Sequence, residues 1–217
     1  MARTAPPNDQ PSSEFALAVE CCRWSFAGGD GSAVRRLAAL VEWDRFVRMS
    51  KRHRVEGLAW RCLRGLAVEL PAQVERSLAA DAEAVAQRNL QAAHQSALLL
   101  AAFAKAGVAL IFMKGLTLSK LAYGDPFVKM SQDIDVLVRE DSIPAAAAEL
   151  ERLGYTLTLP QHSSRLVRWH RQRKESVWRS PEGLQLELSH LREIFATKDA
   201  YEGLSSLGKR PPVFHGR

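Results

Sequence analysis

The strongest constraint on the fold is a change of pattern at Gly107. Before it, the Ala-rich tract from Ala72 to Ala106 carries heptad-like spacings and many small residues. That predicts one long helix, or two nearly continuous ones, able to pack closely. After it, apolar residues come in short runs, Val108 to Phe112 and Ile134 to Val138, which suit buried strands. The chain of 217 residues is long enough for one or two compact units.

The front half reads as a helical module. Residues 1–13 are polar and Pro-rich and predict a flexible arm, followed by a helix from Glu14 to Phe26. Gly28, Gly29 and Gly31 predict a loop, after which Ser32 is placed to cap a helix carrying Val34, Leu37, Leu40, Val41 and Trp43. A further helix is predicted over about Val55 to Leu66.

In the back half, Lys114 and Gly115 follow the first strand and lead into a helix from Leu116 to Tyr123, which Gly124, Asp125 and Pro126 interrupt. After the second strand, Asp141 or Ser142 opens another helix with Pro144 in its first turn, and Gly154 closes it. Tyr155 to Thr158 reads as extended. Two more strands, near Lys174 to Arg179 and Leu184 to Ser189, are joined by a turn at Pro181, Glu182 and Gly183. The pattern predicts an α/β or α+β fold, a small mixed-sheet core at 107–195 packed with a largely helical module at 14–106. For residues 196–217 a short C-terminal helix or tail is expected.

Charge and cysteine content exclude several classes. A net charge of +6 favours anionic partners, a nucleoside triphosphate as readily as a nucleic acid. Cys21, Cys22 and Cys62 do not make a disulfide framework or a four-ligand metal site, and His162 and His170 do not complete a zinc site with them. With neither a signal peptide nor an apolar run of membrane-spanning length, the expected location is the cytoplasm. The stretch from Gly107 to Thr117 lacks the Walker order, and no dinucleotide fingerprint occurs.

The string Lys129, Met130, Ser131, Gln132, Asp133, Ile134, Asp135, Val136, Leu137, Val138 carries the chemistry. Strand side chains alternate, so Asp133 and Asp135 share a face while Ile134 and Val136 pack inward. In Leu184 to Leu188, Glu187 likewise points away from the face of Leu186 and Leu188. If the two strands are neighbours, three acids converge. Mg²⁺ suits such oxygen ligands because it keeps water and phosphate in its octahedral shell. The bland alternative is a strand with one solvated acidic face.

These residues resemble the uncharacterised nucleotidyltransferase family of the polymerase beta-like superfamily. The resemblance covers about Leu110 to His190 and is carried by Met113, Lys114, Gly115; by Tyr123, Gly124, Asp125, Pro126; by Asp133, Ile134, Asp135, Val136, Leu137, Val138; and by Glu187 with His190. It implies a metal-binding triad of Asp133, Asp135 and Glu187. Lys114 and Gly115 stand where the better-known superfamily loop has a Gly-Ser pair, and Lys129 where many relatives carry Arg.

Lys114 is read either as a contact to the nucleotide phosphates or as a salt bridge to an acid of the same site. Gly115 permits a tight turn. Lys129, Ser131 and Gln132 are candidates for nucleotide contact, against an ordinary approach to a strand. Asp125 ends a helix or orients Lys114 or Lys129. His190 does not share the Glu187 face in a regular strand, which favours a local hydrogen bond over catalysis. Arg165, Arg168, His170, Arg171, Arg173, Lys174 and Arg179, interspersed with Trp169 and Trp178, form a basic cluster. It is either a nucleic-acid surface or an exposed ribbon with packed tryptophans.

The activity this implies is Mg²⁺-dependent transfer of a nucleoside monophosphate from a nucleoside triphosphate to a hydroxyl acceptor, with pyrophosphate released and two ions possible. The acceptor is an unidentified small molecule, peptide or protein, with nucleic acid second to these. The other readings are a noncatalytic nucleotide or nucleic-acid binding module, and a nucleotidyltransferase-like subunit of a peptide-modifying assembly.

Overall fold

The computed structural model describes residues 11–173 and 175–190. Most of the expected arm, Lys174 of the basic cluster, the last residues of the expected core and the 196–217 segment lie outside them. The described residues form two compact units. One comprises residues up to 91 with Leu116–Ser131; the other comprises Ala92–Gly115 with residues from 132 onward. Among the described residues no helix is long and apolar enough to cross a membrane.

The first unit is helical. It contains α1 (Ser13–Ala27), α2 (Ser32–Ala38), α3 (Trp43–His53), α4 (Glu56–Gly65), the first part of α5 (Ala72–Lys105) and α6 (Leu116–Tyr123). The Ala-rich tract is thus one continuous helix. Leu17, Cys21, Phe46, Leu63 and Leu78 are fully buried at its core. Ser32 does not cap α2: Gly31 is its N-cap, and the Asp30 carboxylate accepts from the Ser32 amide at 3.0 Å. Nor does that helix reach Trp43, which instead opens α3. The Glu42 carboxylate caps α3 by accepting from the amides of Asp44 and Arg45. This helix was hidden in the sequence because it is rich in charge and fully buries only Phe46 and Ser50, one turn apart.

The segment after α6 is held by backbone acceptors and donors rather than by an apolar side of its own. Asn89, fully buried on α5, donates through Nδ2 to the carbonyls of Pro126 (3.0 Å) and Lys129 (2.8 Å). Its Oδ1 accepts from the Ser131 amide at 3.0 Å. Arg61 donates to the Tyr123 carbonyl, and a Cβ at Gly57 would collide with the Val128 carbonyl oxygen. A polar side chain in a helix interior therefore serves three main-chain groups that burial would otherwise leave unpaired.

The second unit contains the rest of α5, β1 (Leu110–Phe112), β2 (Asp133–Val138), α7 (Ile143–Arg152), β3 (Thr156–Leu159), α8 (Leu166–Arg173), β4 (Glu175–Arg179) and β5 (Gln185–His190). The sheet order is β1-β2-β5-β4-β3. It is mixed: β2 and β5 run parallel, and the other pairs are antiparallel. α7 buries Ile143, Ala146, Ala147 and Leu150, the one-sided spacing of an amphipathic helix. The β4–β5 turn needs Gly183 at φ 86°, and the Ser180 hydroxyl accepts from the Leu184 amide. The basic segment is not a ribbon throughout: residues 166–173 form α8, and only then does the chain extend into β4.

One face of the sheet is fully covered. Ile134, Val136 and Val138 of β2, Leu186 and Leu188 of β5, and Ser176 and Trp178 of β4 are all buried there. His190 of β5 lies on this face and meets His170 of α8, Nδ1 to Nδ1 at 3.2 Å. His170 Nε2 is 2.8 Å from the Ser176 hydroxyl, which also accepts from the Trp178 indole at 3.0 Å. The Nδ1–Nδ1 contact needs one ring to donate and the other to accept, so the two imidazoles are not both protonated. Burial, then the neighbouring His190, lowers the His170 pKa to about 4.

Two outcomes follow from these interior polar groups. Asn89→Leu leaves three main-chain groups, one buried and two part-buried, without this partner and should cost about 3 kcal/mol, read as a fall in the urea midpoint. Because the folded-state pKa of His170 lies below its unfolded value, the unfolded chain takes up the proton first as pH drops. Stability is then complete above about pH 6.5 and falls by roughly 3 kcal/mol on approaching pH 4. Urea unfolding at pH 7 and pH 5 should show this slope in the native chain, and a shallower one in His170→Gln.

Candidate functional site

The parallel pairing of β2 with β5 sets Asp133 opposite Gln185 and Asp135 opposite Glu187. Alternation then puts Asp133, Asp135, Gln185 and Glu187 on the open face of the sheet, away from the leucines and the histidine pair. One carboxylate oxygen from each of Asp133, Asp135 and Glu187 lies within 4.8 Å of the others. Asp135 is buried, whereas Asp133 and Glu187 are half-buried.

Lys114 completes the cluster. Its Nζ donates to Asp135 Oδ1 at 2.8 Å, so of its two sequence readings the structure contains the salt bridge. The amide of Met113 donates to the Asp135 carbonyl at 3.2 Å, which ties the Lys114 backbone to the strand carrying the acid. Gly115 takes φ 61°, a left-handed turn that lets the chain leave β1 for α6. The hydrogen bond and charge of Asp135, followed by the charges of Glu187 and Asp133, raise the Lys114 pKa, so the ammonium stays protonated.

The other oxygen of Asp135, Oδ2, is buried without a hydrogen-bond partner among the described residues. A buried carboxylate oxygen without a donor is costly, and it is the kind of atom a hard cation satisfies. Three carboxylates from two neighbouring strands, one of them with an orphaned oxygen, fit a divalent cation of the Mg²⁺ type. Burial, then the charges of Glu175, Asp133 and Asp135, raises the Glu187 pKa. A cation would reverse that pressure by favouring the ionised form.

Lys129 and Ser131 belong to the helical unit, where Asn89 binds their main chain. There the Lys129 charge acts on Glu56 and Cys22. Gln132 is exposed and belongs to the sheet unit. Asp125 orients neither lysine: its carboxylate accepts from the Phe127 amide at 2.8 Å and so shapes its own turn. His190 points to the covered face and bonds to His170.

One residue of the open face escaped the sequence reading. β4 pairs Val177 with Glu187, so Glu175 shares the Glu187 face, and it contributes the largest neighbouring charge acting on that acid. The signal was available in the alternation of Glu175, Val177 and Arg179 against Ser176 and Trp178. It becomes readable only once the hairpin register is known.

Comparison with known proteins agrees with this geometry. A family model described as "Uncharacterised nucleotidyltransferase" matches residues 39–201. No curated protein and no solved structure matches the chain.

Proposed function

The chain belongs to the uncharacterised nucleotidyltransferase family, and from that premise we propose that it moves a nucleoside monophosphate from a nucleoside triphosphate to an acceptor hydroxyl in a Mg²⁺-dependent reaction. The acceptor oxygen bonds to the α-phosphorus, the bond from that phosphorus to the β-phosphate bridging oxygen breaks, and pyrophosphate leaves. The hydroxyl proton passes to solvent. The observation that carries this reading is the convergence of Asp133, Asp135 and Glu187 within 4.8 Å, with one buried Asp135 oxygen still lacking a partner.

In this proposal Asp133 and Asp135 hold the metal that accompanies the triphosphate, and Glu187 joins them on the acceptor side. Bound there, Mg²⁺ supplies Lewis-acid stabilisation of charge on the phosphoryl oxygens and lowers the pKa of a nearby hydroxyl. The strands do the positioning. Asp135 is fixed by burial and by its ladder position, so its carboxylate does not have to be ordered when substrate arrives. Lys114 contributes a positive charge that steadies the leaving phosphates. Gly115 shapes the turn beside it, and Gln132 is proposed as a secondary nucleotide contact.

The acceptor is a small molecule, a peptide or a protein. Incubating the purified protein with a mixed triphosphate pool, Mg²⁺ and cell extract, followed by mass spectrometry, should reveal an acceptor heavier by one nucleoside monophosphate. Asp135→Asn keeps the shape but removes a charged ligand, and should lower transfer at least about 100-fold while circular dichroism stays native. Transfer that survives Asp135→Asn would dismiss the role assigned to that acid. Nucleotide binding without transfer would leave the chain a binding module.

A further inference from the structure

We propose that Lys114 couples cation binding to triphosphate binding: its ammonium holds Asp135 until polyphosphate oxygens draw it away. This rests on the preceding reading of the acidic cluster as a metal–nucleotide site and adds to it a rule for when the metal binds.

The argument starts from the mismatch in mobility within the pair. The Asp135 side chain is 3% exposed, but that of Lys114 is 61% exposed. The acid is fixed and the lysine is not. Its main chain is pinned, through the Met113 amide, to the Asp135 carbonyl. The Lys114 main chain is therefore held beside the strand that carries Asp135, while the four-carbon stem can rotate in solvent.

A divalent cation drawn to Asp133, Asp135 and Glu187 meets an ammonium already 2.8 Å from one of those carboxylates. If it takes Asp135 Oδ1, the ammonium must leave. If it takes Oδ2, it lies within a few ångströms of a like charge. Both routes weaken binding of the cation alone, because Coulomb repulsion over such distances is strong in a partly buried site. A triphosphate removes the conflict by giving Nζ several anionic oxygens to bind. Cation and nucleotide are then taken up together, and the cation alone is discriminated against. A static ion pair would also repel the bare cation, but it would keep that penalty when the triphosphate arrives and so give no preference for the complex.

The test uses Mn²⁺ as the probe, with the free-ion electron paramagnetic resonance signal as readout. Mn²⁺ is measured alone and as a preformed complex with a non-hydrolysable triphosphate mixture. The native chain should bind the complex much more tightly than the bare ion. Lys114→Met should bind bare Mn²⁺ on the order of tenfold more tightly than the native chain and lose most of the preference for the complex. Lys114→Arg, which keeps the charge, should retain the native pattern; circular dichroism of both variants checks folding.

Bare-ion affinity that is unchanged or weaker in Lys114→Met overturns the coupling. If the native chain still binds the complex in an Asp135-dependent way, the nucleotidyl-transfer reading survives that loss. A native chain that binds neither probe overturns both.

Discussion

The register between β2 and β5 is the constraint on which the site depends. It is set on the covered face, where Ile134, Val136 and Val138 lie beside Leu186 and Leu188. A slip of one residue would turn these side chains to the open face and carry the acids into the core. Apolar packing thus fixes the position of charge. The consequence is unfavourable on its own terms, because Asp135 and Glu187 sit directly opposite each other. Two ionised carboxylates about 5 Å apart repel by roughly 3 kcal/mol at an effective dielectric of about 20. The single ammonium of Lys114 offsets part of this for Asp135, and Glu187 has its pKa raised first by burial, then by the charges of Glu175, Asp133 and Asp135.

Core strands do not normally tolerate like charges in register, since cross-strand repulsion is a direct cost to the sheet. Here the cost is concentrated at one end of β2, where the chain enters the sheet, while Val136, Leu137 and Val138 farther along are buried and apolar. The opposite face shows the contrary solution to a polar interior. His170, His190, Ser176 and Trp178 form a hydrogen-bonded chain within the covered face. One face of the sheet pairs buried polar side chains with one another, and the other leaves an Asp135 oxygen without a hydrogen-bond partner among the described residues. That asymmetry separates a structural polar cluster from one suited to a ligand.

Alternation was enough to read the acidic face in the sequence. Asp133 and Asp135 flank Ile134, and Glu187 lies between Leu186 and Leu188, so each strand declares its faces locally. The pairing of the two strands was not legible, because they lie some fifty residues apart and parallel neighbours carry no turn signal between them. Glu175 was missed for the same reason: its place depends on register. α3 was missed because its buried side is narrow and its composition is dominated by charge. α8 was misread because its arginines gave a polar run in which Leu166 and His170, one turn apart, are the buried residues.

The segment 116–131 belongs to the helical unit although it runs up to the strand that carries the acids. Ser131 stands two residues before Asp133, yet its main chain belongs to the helical unit. Asn89 explains how. An amide side chain can donate twice and accept at its oxygen, so one residue can fasten three main-chain groups of an irregular segment. Pro126 supplies no amide and Gly124 adopts φ 72°, so the stretch cannot satisfy itself as helix or strand. A leucine at position 89 would suit the helix equally well and leave those groups unpaired. The buried asparagine is therefore best understood as the residue that makes an irregular backbone compatible with a helical core, and Lys129 and Ser131 take their main-chain positions from it.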